Sequence, residues 1–130
     1  MLSITNTAGR PVPRGLFKKA ALTVLGAKYD LSVVIVTPAK MKGLNRAYRK
    51  HDASTDILAF PLEKGAGELF ISLPDVAKKA PHFGLSRKEY LEYLFVHGLV
   101  HLKGYDHGKN MDALEKKYCR TLGVSYPSSR

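Results

Sequence analysis

The chain has 130 residues, a formal net charge of +10 and a hydrophobic share of 45%. Such a chain can bury one core, so we exclude a disordered protein and predict a single domain over residues 1–130. No apolar run approaches the roughly 20 residues that cross a bilayer, and the N-terminal segment lacks the apolar stretch of a secretory signal, so we expect no membrane partner. With a single cysteine, Cys119, no intrachain disulfide can form, and a cytoplasmic location is the default expectation.

The positive charge is concentrated in the first part of the chain. Residues 1–50 carry ten Lys or Arg and one acidic residue, whereas residues 51–130 carry eleven Lys or Arg and ten acidic residues. This asymmetry favours a polyanionic partner such as a nucleic acid. A basic surface that only keeps the protein soluble would give the same totals, so charge alone leaves the partner open.

The first half of the chain predicts two helices with a strand between them. Apolar residues at helical spacing over Gly15–Gly26 predict a helix, and the β-branched run Leu31–Thr37 predicts a strand. Proline is tolerated in the first helical turn, so a second helix is expected to begin at Pro38. Its apolar face is predicted to consist of Met41, Leu44, Tyr48 and Ala47.

The second half predicts a hairpin followed by helices. The short strands Ile57–Pro61 and Glu68–Ser72 flank a glycine-containing turn, which favours antiparallel pairing. A short helix is expected over Pro74–Lys79. Ser86 and Glu89 have capping-box spacing, and they open a longer helix that ends near Gly104 and is apolar nearly all round. A last helix is predicted over Asn110–Leu122, and the alternation of elements favours an α+β or α/β sandwich around a small mixed sheet.

Three of the five histidines lie in one short segment, at positions 97, 101 and 107. His97 and His101 are four residues apart on the predicted helix, so both imidazoles project from one face. Gly104 can adopt a left-handed backbone, which ends the helix and lets His107 return to the same point. Three imidazoles would hold Zn²⁺ with its fourth position open, as in catalytic zinc sites, and Asp106 is a candidate to orient one of them.

The alternative is that these histidines are hydrogen-bonded core residues. Three imidazoles in one segment, with a glycine at the bend, are harder to explain in this way. The same spacing occurs in metzincin proteases, in which a glutamate follows the first histidine and acts as the general base. Gly98 stands at that position here. Its presence argues against peptide hydrolysis, and the basic half of the chain favours a phosphodiester substrate. His51 and His82 are predicted to be surface residues and Cys119 a core residue.

Several segments resemble the YbeY family of bacterial endoribonucleases, which act in ribosomal RNA maturation. Residues 97–107, HGLVHLKGYDH, resemble the family pattern HGxLHLxGxDH. Residues 44–61 resemble LNxxYRxxDxxTDVLSFP, with Ala59 in place of the usual serine. Residues 67–72 and 111–123 are similar to a strand and to the closing helix of the family, so the resemblance spans roughly residues 30–125.

The resemblance implies an α+β fold, which we expect to contain a small mixed sheet of about four strands packed with about five α-helices. It implies a cleft in which His97, His101 and His107 hold one zinc ion per chain. It also implies a catalytic role for Arg49, whose guanidinium suits phosphate oxygens. The implied activity is metal-dependent cleavage of single-stranded RNA in ribosomal RNA maturation, including 16S rRNA processing, and in ribosome quality control. The implied partners are precursor ribosomal RNA and the ribosome or small-subunit assembly proteins.

Alternatives stay open at three points. Arg49 has a second interpretation as a surface ion pair with Asp52 or Asp56. No general base is identified, and Asp106 and a route through the ribose 2′-hydroxyl are both open. A basic approach to the cleft is assumed for Lys40, Lys42, Arg46 and Lys50. The rival functions are a non-catalytic ribosome-associated assembly factor with a structural metal, and a metal hydrolase of non-RNA substrates. The absence of a thiolate ligand opposes the first, and Gly98 opposes a peptidase.

Overall fold

Four strands form one mixed sheet in the computed structural model, which describes residues 1–104 and 108–127. The strands are β1 (Leu2–Asn6), β2 (Asp30–Val36), β3 (Ile57–Glu63) and β4 (Ala66–Ser72). They lie in the order β1-β2-β4-β3, with β1, β2 and β4 parallel and β3 antiparallel to β4. The predicted hairpin is therefore confirmed, and β3 lies at one edge of the sheet.

Five α-helices accompany this sheet among the described residues. Thr37 caps one of them, and Ser86 with Glu89 forms the predicted capping box of another. The helices are α1 (Arg14–Leu25), α2 (Pro38–Arg49), α3 (Leu73–Lys79), α4 (Arg87–Leu102) and α5 (Lys109–Leu122), and a short 3-10 helix, Ala80–Phe83, extends α3. The predicted α+β architecture is confirmed for this part of the chain. None of these helices is long and apolar enough to span a bilayer.

The sequence patterns did not predict strand β1. Its residues alternate between half-buried and exposed, and it pairs with β2 so that Leu2 lies opposite Leu31 and Ile4 opposite Val33. A short edge strand presents only two large apolar side chains to the core, which is too few to establish a period of two in the sequence. Its pairing with β2 is a long-range contact, and sequence periodicity does not report such contacts.

One face of the sheet holds the main core. We call the face that carries Val33, Leu69 and Ile71 the inner face. Helices α1 and α4 pack against it, and α5 packs on both of these helices. Phe17 and Phe95 are fully buried there and stack with ring centroids 3.8 Å apart. Helix α4 is buried on most of its sides, as its apolar sequence predicted.

The opposite face holds a much smaller cluster. We call the face that carries Val36, Leu58 and Phe70 the outer face. Helix α2 packs on it and contributes Met41, which is fully buried between the helix and the sheet. Phe60 and Phe70 are only half-buried at the margin of this cluster, so the outer face is partly open to solvent.

The predicted apolar face of α2 is only partly correct. Met41 is fully buried and Leu44 is half-buried, but Tyr48 is 69% exposed and Ala47 is exposed as well. The ring of Tyr48 meets Phe60 edge-on, with centroids 5.3 Å apart. The last turn of α2 therefore extends past the apolar part of the outer face, which helical periodicity cannot reveal because it contains no information on where the sheet ends.

A candidate active-site cleft

A cleft of about 640 Å³ opens between the edge strand β3 and helix α4. Its lining residues are Arg49, Thr55–Phe60, Lys79, Phe83, Tyr90, Tyr93, Leu94, His97, Gly98 and His101. Apolar and polar atoms contribute about equally to the wall, and several ionisable groups converge on it. This combination is typical of ligand-binding and catalytic sites.

The histidine pair of α4 lies in this cleft. His97 and His101 are half-buried, and their rings are nearly perpendicular with centroids 4.8 Å apart. The predicted arrangement of two imidazoles on one helix face, one turn apart, is therefore confirmed. Gly104 has a φ of 109°, so the chain leaves α4 where the sequence predicted that it would.

The third predicted ligand, His107, lies outside the described residues, as does Asp106. Within residues 1–104 and 108–127, no group of three or more histidine, cysteine or acidic side chains is arranged to hold a metal. The three-histidine site therefore stays a prediction, and the described part of the chain contributes two of its members.

A buried carboxylate braces His97. Glu115, from α5, is fully buried, and its Oε2 lies 2.5 Å from Nδ1 of His97. The hydroxyl of Tyr93 donates to Oε1 of the same carboxylate at 3.1 Å. Because a carboxylate accepts hydrogen bonds, Nδ1 is the ring nitrogen that donates in this contact, and the carboxylate fixes the orientation of the imidazole.

The sequence patterns did not predict this brace. They indicated Asp106 as the residue that orients one of the imidazoles. A signal was present, because Glu115 is four residues from both Met111 and Cys119, which are buried on the inward stripe of α5. An acidic residue in the middle of an apolar helix stripe requires a buried partner. The partner itself could not be named without knowing that α5 packs on α4.

Gly98 allows α4 to approach the sheet closely. A Cβ at this position would lie 2.8 Å from Cδ1 of Ile57 and 3.1 Å from Cδ2 of Leu69. The position that holds the general base in metzincin proteases therefore faces a closed contact between helix and sheet. This geometry supports the sequence argument against that mechanism.

Arg49, the last residue of α2, lines the cleft although it is exposed. The alternative ion pair is not formed, as far as the described residues show. Asp52 pairs with Arg46 at 3.5 Å. Asp56 pairs with Lys79 at 3.7 Å. The catalytic role of Arg49 stays a prediction, and its position at the cleft is compatible with it.

The assumption that the other basic residues of α2, and Lys50 directly after it, line the cleft is wrong. Lys40, Lys42, Arg46 and Lys50 are exposed and do not belong to the cleft lining. Residues of a helix project in different directions, so only part of a basic helix can face one cleft. The second cation in the cleft is Lys79 of α3, which the sequence did not single out.

Asp56 is a second ionisable group that the sequence reasoning did not assign to the site. It is 5% exposed, and its Oδ2 accepts a hydrogen bond of 2.7 Å from the hydroxyl of Tyr90. Its Oδ1 accepts from the backbone N–H of Ile57 at 2.8 Å. With both oxygens engaged, and with Lys79 beside Oδ2, Asp56 serves to position Tyr90 and Lys79.

The loop from Arg49 to Asp56 is anchored in its second half, at Ala53 and Ser54. The side-chain amide of Asn45, a buried residue of α2, donates to the carbonyl of Ala53 at 2.8 Å. The hydroxyl of Ser54 donates to Asp75 of α3 at 2.6 Å. These two hydrogen bonds tie the part of the loop next to Asp56 to helices α2 and α3.

The remaining residue predictions are confirmed. His51 and His82 are exposed. Cys119 is 1% exposed, and burial, together with the charge of Glu115, raises the pKa of its thiol to about 12. A thiol in this state is unreactive at neutral pH, so Cys119 is a core residue.

The fold and this cleft define an α+β protein that carries a braced histidine pair and two cations beside an edge strand. Residues 12–122 match the family model described as Endoribonuclease YbeY. The chain belongs to this family, as its sequence patterns predicted.

Individual relatives agree with the family assignment. The Endoribonuclease YbeY of Aromatoleum aromaticum is 33% identical over 120 residues, which cover 86% of this chain and 78% of the relative. That of Aquifex aeolicus is 40% identical over 105 residues, 75% of this chain and 69% of the relative. The solution structure of TM1509 from Thermotoga maritima superposes over the full length of both chains with a TM-score of 0.64 and 27% identity.

Proposed function

We propose that this protein is a zinc-dependent endoribonuclease that cleaves single-stranded RNA. The observation that carries the proposal is the histidine pair, braced by the buried Glu115, in the same cleft as Arg49 and Lys79. Imidazoles are metal ligands and cations bind phosphodiesters, so the cleft combines the two requirements of metal-assisted RNA cleavage. Membership of a family whose named members are endoribonucleases supports the same activity.

The side chains of the cleft fit a zinc ion. His97 and His101 offer imidazole nitrogens from one helix face, and the family resemblance adds His107 as a third ligand. When bound, such an ion supplies an activated water and polarises a phosphoryl oxygen. Glu115 holds the ring of His97 in one orientation and keeps the proton on Nδ1.

The cations act on the RNA backbone. Arg49 binds two oxygens of the scissile phosphate and stabilises the negative charge that develops on them during cleavage. Lys79, held beside Asp56, binds the backbone as a second cation. Asp56 is not the general base in this proposal, because Tyr90 and a backbone N–H already occupy its oxygens.

The proposed substrate is precursor ribosomal RNA, cleaved in the cytoplasm during 16S rRNA processing and ribosome quality control. The support is the family resemblance together with a net charge of +10, which favours a polyanionic partner. On this proposal the ribosome or small-subunit assembly proteins bring the enzyme to its substrate.

Cleavage of a labelled single-stranded RNA, with and without a chelator, tests the metal requirement. We expect the parent protein to lose activity in chelator and to regain it with Zn²⁺, and we expect His101→Ala to be inactive in both conditions. A His101→Ala variant that cuts as fast as the parent would contradict the proposal. Parallel assays with peptide and phosphomonoester substrates test the rival hydrolase function.

The phosphate role of Arg49 has a matched control in Arg46, which lies on the same helix outside the cleft. We expect Arg49→Ala to lower kcat/KM by about 100-fold, since it removes a donor aimed at developing charge. Arg46→Ala is expected to change kcat/KM by no more than about three-fold, because it alters only the long-range electrostatic potential of the protein. Equal losses in the two variants would show that Arg49 acts through net charge alone.

The brace is tested by zinc affinity. We expect Glu115→Gln, which keeps the size of the side chain but removes its charge, to weaken zinc binding by about 10-fold or more. Titration against a chromophoric chelator measures this without reference to activity. Glu68→Gln is the control, because Glu68 is a half-buried glutamate on β4 that does not line the cleft. Unchanged zinc affinity in Glu115→Gln would refute the brace.

A further inference from the structure

An aromatic pair at the margin of the cleft has no part in the proposed cleavage step. Tyr48 is 69% exposed, which is unusual for a ring of this size, and its edge-on contact with Phe60 restrains it. Phe60 lines the cleft and packs in turn on Phe70, with ring centroids 5.8 Å apart. The exposed ring of Tyr48 is therefore continuous with the cleft wall through Phe60.

The helix that carries this ring is strongly positive. Helix α2 and the residue that follows it carry five cations and no acidic residue: Lys40, Lys42, Arg46, Arg49 and Lys50. Asp52, the first acidic residue after them, is paired with Arg46. An exposed aromatic ring in a positive field suits a ligand that is both flat and anionic, and this is the combination with which proteins bind single-stranded nucleic acid.

We propose that Tyr48, supported by Phe60, is a stacking subsite for an unpaired base of the RNA whose phosphate Arg49 binds. The inference rests on the proposed endoribonuclease function and adds a base-recognition residue to it. Arg49 and Phe60 line the same cleft, and Tyr48 contacts Phe60, so the ring and the guanidinium can hold the base and the phosphate of one stretch of strand.

A preference for single strands follows from this subsite. In a duplex both faces of a base are covered by its neighbours, whereas an unpaired base has a face free to stack on a side chain. Stacking also tolerates any base, because every base presents a π-face. The subsite therefore selects unpaired RNA without reading its sequence.

Binding measured in chelator separates this subsite from catalysis. The probes are a labelled single-stranded RNA, an abasic strand of the same length and charge, and the corresponding duplex. The variants are Tyr48→Ala, which removes the ring, and Tyr48→Phe, which keeps it. Leu62→Ala is the matched control, since Leu62 is a comparably exposed apolar residue (62%) on β3 that does not line the cleft.

We expect Tyr48→Ala to weaken binding of the single-stranded RNA by about 10-fold or more, the effect of removing one stacked aromatic side chain. Tyr48→Phe and Leu62→Ala are expected to remain within about two-fold of the parent, because neither removes the stacking ring. The abasic strand should bind weakly to the parent and should not respond to Tyr48→Ala. Fluorescence of 2-aminopurine placed in the strand should be quenched by the parent and by Tyr48→Phe but not by Tyr48→Ala.

Two results would overturn the inference, and they differ in what they say about the proposed function. If abasic and normal strands bind equally and Tyr48→Ala changes neither, the subsite is absent while RNA binding and cleavage stand. If no strand binds in chelator and metal-loaded protein cleaves no RNA, both the subsite and the endoribonuclease function fail.

Discussion

The two faces of the sheet divide the molecule into a thickly covered region and a thinly covered one. The inner face lies under α1 and α4, and α5 adds a further layer over these helices. The outer face lies under α2, and among the described residues its buried cluster consists of Val36, Met41 and Leu58. The histidines belong to the thick side, whereas Arg49 and Tyr48 belong to the helix of the thin side.

This contrast suggests a division of labour across the cleft. Groups that must keep a fixed geometry, such as His97 and Glu115, belong to helices packed in the main core. Arg49, which on the proposed function binds a long polymer, lies on a lightly packed helix with solvent around it. The edge strand β3 joins the two regions, because its residues contribute to both faces of the sheet and to the cleft.

The sharpest test of the contrast is one substitution made on each face. Leu69 and Leu58 lie on the paired strands β4 and β3, and both are essentially unexposed. We expect Leu69→Ala to lower the free energy of unfolding by about 4 kcal/mol, and Leu58→Ala by about 2.5 kcal/mol, because the half-buried rings around Leu58 can collapse into the space. Urea unfolding measures both changes. Equal decreases in the free energy of unfolding would mean that the two faces pack equally well.

Gly98 tests how closely α4 lies on the inner face. We expect Gly98→Glu to lower the free energy of unfolding by about 3 kcal/mol, because the carboxylate would enter a closed apolar contact. Gly98→Ala is expected to stay within about 1 kcal/mol of the parent, since only the tips of Ile57 and Leu69 must shift and alanine favours the helix. A stable Gly98→Glu variant would show that the contact between α4 and the sheet opens readily.

Substitutions at the helix caps test whether α2, on the outer face, can unfold locally while the main core stays folded. Ser86 caps α4 within a reciprocal capping box, and Thr37 caps α2 by accepting from the N–H of Lys40 at 3.2 Å. Ser86→Ala should lower the free energy of global unfolding by about 1 kcal/mol. Thr37→Ala should instead raise amide hydrogen exchange mainly within α2, because this helix can open without the main core. Faster exchange throughout the chain in both variants would argue against separate opening.

The smallest expected effect is the acid sensitivity of the α4 cap. Hydrogen bonds from the backbone N–H and the hydroxyl of Ser86, and then from Ser125, lower the pKa of Glu89 in the folded protein. Its contribution is therefore present above the unfolded pKa and is lost as the pH falls through the folded pKa. The stability difference between the parent and Glu89→Gln should shrink as the pH is lowered through the acid range. A difference that is constant with pH would mean that the charge of Glu89 does not stabilise the cap.

Most of the fold was predictable because its elements carry local signals. The capping box at Ser86, the proline at Pro38 and the glycine in the hairpin turn each mark a boundary in the sequence, and the structure places boundaries there. Strand β1 and the exposure of Tyr48 were not predictable. Both depend on where the sheet begins and ends, which is a property of long-range pairing and not of any short window.

The histidine pair of the candidate site was predictable from the sequence, but the residues that surround and orient it were not. His97 and His101 were found because helical spacing converts sequence separation into proximity. Glu115, Asp56 and Lys79 come from other elements, so their approach to the cleft depends on tertiary packing. The same limit explains the wrong assumption about the lysines of α2, which share a helix with Arg49 but project elsewhere.

The brace of His97 by Glu115 has a consequence for the order in which the protein matures. Synthesis delivers α4 before α5, so the histidine pair leaves the ribosome before the carboxylate that orients it. A nascent chain that has folded its sheet around α4 still has the Nδ1 of His97 and the hydroxyl of Tyr93 without this acceptor. The His97 imidazole is therefore oriented by Glu115 only once α5 has been made and has docked on α4.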